Sequence, residues 1–236
     1  MILDMHDVHV NLGLSHVLQG VNLSIRPGET VGLFGRNGVG KTTIVKTIAG
    51  WYKPSRGEIL FQNQPIESLP PNEITRLGMG LVPEDRRIFP GLSVEGNLKL
   101  GLMQVQASER KAAEQRIQMV FERFPRLQER RNQSGTTLSG GEQQMLAMAR
   151  VLVGNPKLLL IDEPTEGLAP MVVADIFRLM EELKTQGIAI LLIEQNIHKA
   201  IHLCNRHYVI ERGRVVLEGD SQDQEERKEL IRRVSV

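Results

Sequence analysis

A glycine-rich loop, Gly35-Arg36-Asn37-Gly38-Val39-Gly40-Lys41-Thr42, joins a short apolar run to a stretch of helix-forming residues. Glycines at these positions let backbone N–H groups turn toward an anion, and the start of the following helix adds its dipole. Lys41 suits the outer phosphates of a nucleoside triphosphate, and the Thr42 hydroxyl suits its magnesium ion. Gly35, Asn37, Gly38, Gly40, Lys41, Thr42 and Thr43 are therefore the candidate nucleotide ligands. A second chemistry stands at Leu158-Leu159-Leu160-Ile161-Asp162-Glu163, an apolar run ending in two carboxylates. Asp162, at the end of a buried strand, suits Mg²⁺ directly or through water. Glu163 follows it, and strand alternation would turn it to the other side, where it can orient or deprotonate an attacking water. Two solvated charges at a strand end would be the bland alternative, but the loop at Gly35 argues against it.

A third motif, Leu138-Ser139-Gly140-Gly141-Glu142-Gln143, places a hydroxyl and glycine N–H groups at the start of a helix expected over Glu142–Val153. That is again an anion site. The two phosphate-binding elements either serve two nucleotides or contribute to a shared one.

These groups need a scaffold. Thr30–Phe34, Leu158–Ile161 and Ile188–Ile193 are nearly continuous apolar runs of strand length, as in a parallel sheet covered on both faces. Helices are expected over Lys41–Ala49 and over Val172–Thr185, where Val173, Ile176, Leu179, Met180 and Leu183 share one face and the pattern stops before Gly187. The first thirty residues and Gly57–Gln62 read as short, turn-punctuated segments of a small antiparallel layer. The stretch from about Gly91 to Val153 is mostly helical, with Ser108 as N-cap of a helix over Glu109–Phe124 that aligns Ala113, Ile117, Val120, Phe121 and Phe124. Ser221, with Gln224 three residues on, is a capping-box signal for a last helix.

The 236 residues are 41% hydrophobic and 24% charged, as expected of a packed globular core. A net charge of +1, from 29 basic and 28 acidic residues, argues against nucleic acid as the main partner. The single cysteine, Cys204, permits no internal disulfide and fits a reducing compartment. The first residues, Met1–Asp7, lack the basic region followed by an apolar one by which a secretory signal is read. The longest aliphatic run, Ile188–Ile193, is far short of the roughly 20 residues that span a bilayer, so work at a membrane would require another chain to cross it. The six histidines show no metal-ligand spacing with Cys or carboxylates, and His198 and His202, four apart, read as surface residues. The nine methionines read as core.

In their order along one chain, the three motifs resemble those of the ATPase subunit of an ABC transporter. The resemblance implies an α/β fold: a P-loop NTPase (RecA-like) core with a parallel sheet, a small antiparallel β subdomain and an inserted helical subdomain. It implies one domain over residues 1–236, with about 1–90 and 154–236 forming the nucleotide-binding core and about 91–153 the helical part. It implies ATP and Mg²⁺. It also implies that two ATPase subunits pack head to tail, so that Ser139, Gly140, Gly141 and Glu142 close over the partner's ATP. The stretches Leu81–Pro90, Glu163–Pro170 and Leu191–Asn196 are similar to the smaller ATPase of branched-chain amino-acid importers and its urea and amide relatives. That subgroup implies a heterodimer with a second ATPase, two transmembrane permease subunits, indirectly a solute-binding protein, and a peripheral location on the cytoplasmic face of the inner (plasma) membrane. Rival readings are a urea or amide importer ATPase, a soluble non-transport ABC ATPase, and a regulatory subunit that binds ATP without hydrolysing it.

Four positions depart from the general family pattern. The loop that senses the γ-phosphate usually offers glutamine; here Glu84 adds a carboxylate able to reach Mg²⁺ or water, alongside Thr42 and Asp162. The switch histidine is Gln195, which can hydrogen-bond a phosphate oxygen but carries no charge. The aromatic residue that stacks on adenine is Leu12, which would loosen selectivity for ATP over GTP. The aspartate that crosses the dimer interface is replaced by Ala169-Pro170. Glu163, Lys41 and Gln195 remain the catalytic candidates, and hydrolysis is expected. Arg86 and Arg87 suit a phosphate, an acidic partner or plain solvent, while Ile88, Phe89 and Leu92 suit either core packing or, by the resemblance, a groove for a short permease helix.

Overall fold

The computed structural model describes residues 1–105 and 107–234. In chain order the elements are β1 (Leu3–Leu12), β2 (Ser15–Ile25), β3 (Thr30–Phe34), α1 (Lys41–Ile48), β4 (Arg56–Phe61), β5 (Gln64–Pro65), α2 (Pro71–Arg76) and β6 (Met79–Val82). Then follow α3 (Val94–Lys99), α4 (Arg110–Arg123), α5 (Pro125–Glu129), α6 (Gly140–Leu152), β7 (Leu158–Asp162), α7 (Pro170–Thr185), β8 (Ala189–Ile193), α8 (Ile197–Leu203), β9 (Arg206–Glu211), β10 (Arg214–Asp220) and α9 (Gln224–Val234).

Two sheets form for two different reasons of pattern. Along β1, Leu3, Met5, Val8 and Val10 are buried while His6 and Asn11 are exposed, so one face of an antiparallel sheet of order β2-β1-β4-β5 meets the core. By contrast, every residue of β3, β7 and β8 is buried. They belong to a sheet of order β10-β9-β3-β8-β7-β6, parallel throughout except for the β9–β10 pair. With both faces covered, the fold is α/β, as expected.

One apolar cluster fills the space between the two sheets around α1, with Ile44, Val45 and Ile48 at its centre. A second lies on the other face of the parallel sheet under α7, α8 and α9, where Ile176, Met180, Ile201 and Leu230 meet Leu159, Ile161 and Leu192. A third is built by the helices between α3 and α6. Helix α6 serves two of these: Met148 and Val151 face the second cluster, while Leu146 and Ala149 face the third. A displacement at its N-terminus is therefore transmitted to both.

Several local expectations are corrected. The antiparallel strands are not short: β1 and β2 run ten and eleven residues, because register shifts absorb their twist where a turn was expected. Ser108 lies in a 3₁₀ turn, and α4 starts from Glu109 with no side-chain cap. Ser221 does not cap α9 either. Its hydroxyl is buried against His207 Nδ1 at 3.0 Å, and Asp223 Oδ1 instead accepts from the backbone of Glu225 and Glu226. Helix α7 begins earlier than expected, at Pro170, a residue whose fixed φ suits a first turn.

Candidate active site

The loop after β3 turns into α1 through Gly40, whose φ of 115° is a conformation that side-chain-bearing residues rarely adopt. That turn aims Lys41 back into the loop. Its Nζ donates to the carbonyls of Gly35 (2.8 Å) and Arg36 (2.9 Å) and is almost fully buried. Burial pulls the Lys41 pKa down, while Glu163 and Asp162 pull it back up. The ammonium is thus held by two carbonyls at the mouth of an anion site. Around it lies a cleft of about 290 Å³ lined by Val17, Asn37, Gly38, Gly40, Lys41, Thr42, Thr43, Glu84, Glu163, Glu166 and Gln195.

Three features give the cleft its chemistry. The first is Asp162, the last residue of β7, which is 3% exposed. Burial pushes its carboxyl up to about 6; a hydrogen bond with Thr42 opposes this, and Glu163 and Glu84 add to it. Its Oδ1 is buried without a hydrogen-bond partner among the described residues, a costly state for a carboxylate unless a cation or water meets it. The second is Glu163. It leaves the strand in a left-handed conformation, with φ 46°, anchored by its N–H donating to Ile193 at 3.0 Å. The turn, rather than strand alternation, aims the side chain, and such a strained conformation persists only where its surroundings enforce it. Carboxylate oxygens of Glu84, Glu163 and Glu166 come within 4.8 Å of one another.

The third is Gln195, whose Nε2 donates to Glu163 Oε2 at 2.6 Å. Expected to face a phosphate, this amide here holds the carboxylate. Behind it, buried Glu194 accepts from Thr165 Oγ1 at 2.6 Å and from Asn196 N at 3.4 Å, tying the loop after β7 to the loop after β8. Burial raises the Glu194 pKa.

Ser139 lies elsewhere. Its side chain accepts from Glu142 N (3.3 Å) and Glu142 Oε2 accepts from Ser139 N (2.9 Å), closing a capping box on α6. Such a cap is worth about 1 kcal/mol. Glu142, expected among the nucleotide ligands, is thus engaged in its own helix and in an ion pair with Arg130 at 3.3 Å. Gly141 is required by packing: a Cβ there would lie 2.7 Å from Val172. Ser139, Gly141 and Glu142 line a separate cleft of about 460 Å³ with Arg126, Met145 and Arg178. Within one chain, the Ser-Gly-Gly motif and the loop at Gly35 do not meet. Leu12 does not line the cleft of Lys41 either; it packs half-buried on the core, and Val17 is the apolar residue facing the cleft.

Sequence reading missed Val17, Glu166, Glu194 and Arg150. Only Glu166, three residues after Glu163, left a signal, its spacing placing both acids in one turn. Arg150 on α6 is buried, and its guanidinium donates to the carbonyls of Arg87 (2.8 Å) and Arg86 (3.3 Å), fixing the loop that carries Glu84 to the helix that starts at Gly140.

Comparison with known proteins agrees with this geometry. Residues 18–166 match the family model described as ABC transporter. The chain is 40% identical to the high-affinity branched-chain amino acid transport ATP-binding protein BraG of Pseudomonas aeruginosa, over 92% of this chain and 91% of that one. It is 34% identical to the lipopolysaccharide export system ATP-binding protein LptB of Escherichia coli, over 86% and 84% of the two chains. Among solved structures, the dimeric post-hydrolysis state of the ATP-binding cassette MJ0796 bound to ADP and Pi superposes with a TM-score of 0.78, at 27% identity, covering 94% of this chain and 99% of that one. The chain belongs to the ABC transporter family, as an ATP-binding subunit of the ATPases coupled to transport.

Proposed function

We propose that this chain hydrolyses ATP in the cleft of Lys41 to drive an importer of branched-chain amino acids. The observation that carries the catalytic part is the convergence of a buried ammonium and a strained glutamate in one cleft, with a buried carboxylate bonded to the cleft's Thr42 and one of its oxygens unpartnered. Lys41 exchanges its two loop carbonyls for phosphate oxygens. Asn37, Gly38, Gly40, Thr42 and Thr43 hold the rest of the triphosphate. Thr42, Asp162 and Glu84 would be the oxygen donors for Mg²⁺, a set suited to a hard cation, and the orphaned Asp162 Oδ1 supports that fit. Bound there, Mg²⁺ would neutralise charge on the phosphates. Glu163, held by Gln195, orients the attacking water and takes its proton. Ser139 and Gly140, outside this chain's own cleft, close over the nucleotide of a second ATPase subunit, in keeping with the dimeric relative.

Other partners follow from a second surface. A groove of about 630 Å³ is lined by exposed Trp51, Phe89 and Met103 and by Arg76 and Arg87, with no carboxylate among its lining residues. Phe89 thus faces a groove, and this is the site we assign to a short helix of a permease subunit. The helices from about 91 to 153 would carry its movement to Ser139. Two permeases, a distinct second ATPase and a solute-binding protein complete the assembly, at the cytoplasmic face of the membrane. No described helix is long and apolar enough to cross a bilayer.

The amino-acid assignment is supported by the likeness to BraG; the likeness to LptB makes export of a lipid-linked substrate the alternative to test. The test is purification through a tag on this chain in mild detergent, paired with uptake of labelled leucine in cells lacking it. Two polytopic membrane proteins, a second ATPase and lost leucine uptake are expected. Intact leucine uptake with lost urea or amide uptake would move the substrate. Recovery of soluble partners alone would overturn the transporter reading.

A further inference from the structure

The outer face of the antiparallel sheet carries a group of side chains that takes no part in the nucleotide cleft. His9 on β1 and His16 on β2, seven residues apart, face each other with His9 Nδ1 3.0 Å from His16 Nε2. The other ring nitrogen of His9, Nε2, lies 3.0 Å from Asp7 Oδ1. The surrounding chain is shaped to hold this contact. Asp7 sits at φ 48°, a left-handed conformation, with its N–H donating to Asn22 Oδ1 at 3.0 Å and its other carboxylate oxygen 2.9 Å from Arg56. Opposite it stands Gly20, where a Cβ would come within 2.9 Å of Asp7 Oδ1 and 3.4 Å of His9 Nε2. Register shifts on both sides of His9 aim these side chains away from simple cross-strand partners.

A carboxylate at Nε2 keeps the imidazole proton on that nitrogen and leaves the Nδ1 lone pair turned toward His16 Nε2. This is how a metal-binding histidine is oriented by its carboxylate neighbour. Two imidazole nitrogens on one tetrahedral ion, each at about 2.0–2.1 Å, lie about 3.3 Å apart; the two rings, stacked at 19° with centroids 5.2 Å apart, therefore open by about 0.3 Å and turn about their side-chain bonds so that both lone pairs converge on the ion. His9 is one-fifth exposed and His16 more so, which leaves solvent to supply the remaining ligands.

The geometry points to a bis-imidazole site, His9 Nδ1 with His16 Nε2, for a divalent late transition ion of the zinc class, with Asp7 as the positioning residue. Two nitrogen donors suit zinc, nickel or copper and not the oxygen-seeking Mg²⁺ of the nucleotide cleft. Occupancy would clamp β1 to β2 beside the Gly13-Leu14 turn.

The test is calorimetric titration of the chelator-stripped, nucleotide-free full chain with zinc chloride, together with electron paramagnetic resonance at one equivalent of Cu²⁺. We expect one zinc equivalent that millimolar Mg²⁺ does not displace, and Cu²⁺ coupled to two imidazole nitrogens. His16→Gln, at an exposed position, should weaken zinc at least tenfold and remove one nitrogen coupling. Asp7→Asn should weaken it roughly 10–100-fold with both couplings retained. His198→Gln, which breaks the histidine pair four residues apart on α8, should change neither. Unchanged zinc affinity in His16→Gln, or its loss in His198→Gln instead, would overturn the assignment.

Discussion

Replacing Asp162 by asparagine is expected to make the nucleotide-free protein more stable while abolishing its turnover. The carboxyl is 3% exposed, and its acidity is shifted from 3.8 to about 6, chiefly by burial. A shift of roughly two units corresponds to about 3 kcal/mol between the folded and unfolded chains. The sign follows from proton binding. Because the folded pKa is the higher one, the folded state holds more protons between about pH 4 and 6, so stability falls as pH rises through that window and the full cost is present above it. Asparagine carries no charge to desolvate, keeps the shape and can still bond Thr42. At pH 8 without nucleotide, Asp162→Asn should therefore raise Tm; at roughly 2–4 °C per kcal/mol for a chain of this length, the gain is roughly 6–12 °C. At pH 4 the gain should vanish. Adding ATP and Mg²⁺ should stabilise the wild type and leave the variant nearly unmoved, since the cation has lost its charged ligand. Differential scanning fluorimetry at the two pH values, with and without Mg·ATP, reads all four conditions. A variant less stable than wild type at pH 8, or equally stabilised by Mg·ATP, would refute the reasoning.

Gln195 holds Glu163 without a titrating proton, so it adds no step of its own to the pH profile of the ATPase rate, whereas Gln195→His should add one near pH 6.5; matching profiles would contradict that role. Gly141→Ala should cost about 1–3 kcal/mol in thermal or denaturant unfolding, because a Cβ at the start of α6 would press on Val172 of α7; a cost under about 0.5 kcal/mol would show that α7 yields there.

The parts of the fold legible in sequence were those where one local rule decides. Continuous apolar runs marked β3, β7 and β8 because a strand covered on both faces has no polar side. The stripe from Val173 to Leu183 marked α7 because its other face meets solvent. The loop at Gly35 was legible because its glycines, Lys41 and Thr42 are contiguous. What stayed hidden depends on where separate segments meet. The cap of α9 passed from Ser221 to Asp223 because His207, far along the chain, takes the serine hydroxyl. A left-handed turn, not strand alternation, aims Glu163, and no local pattern marks that turn. Val17 reaches the cleft because Gly213, far along the chain, ties β2 to the loop, its N–H donating to Val39 and its carbonyl accepting from Gln19 N–H. His9 and His16 fit no metal spacing until two strands bring them together.

The most direct test of the account is the ATP turnover of Glu163→Gln measured beside its ATP affinity in the full-length chain. The variant keeps Lys41, Thr42 and Asp162 and alters only the carboxylate that takes the water's proton. Turnover should fall roughly 10²–10⁴-fold while ATP is still bound. Wild-type turnover in Glu163→Gln would contradict the claim that hydrolysis is carried by the glutamate this fold holds against Gln195.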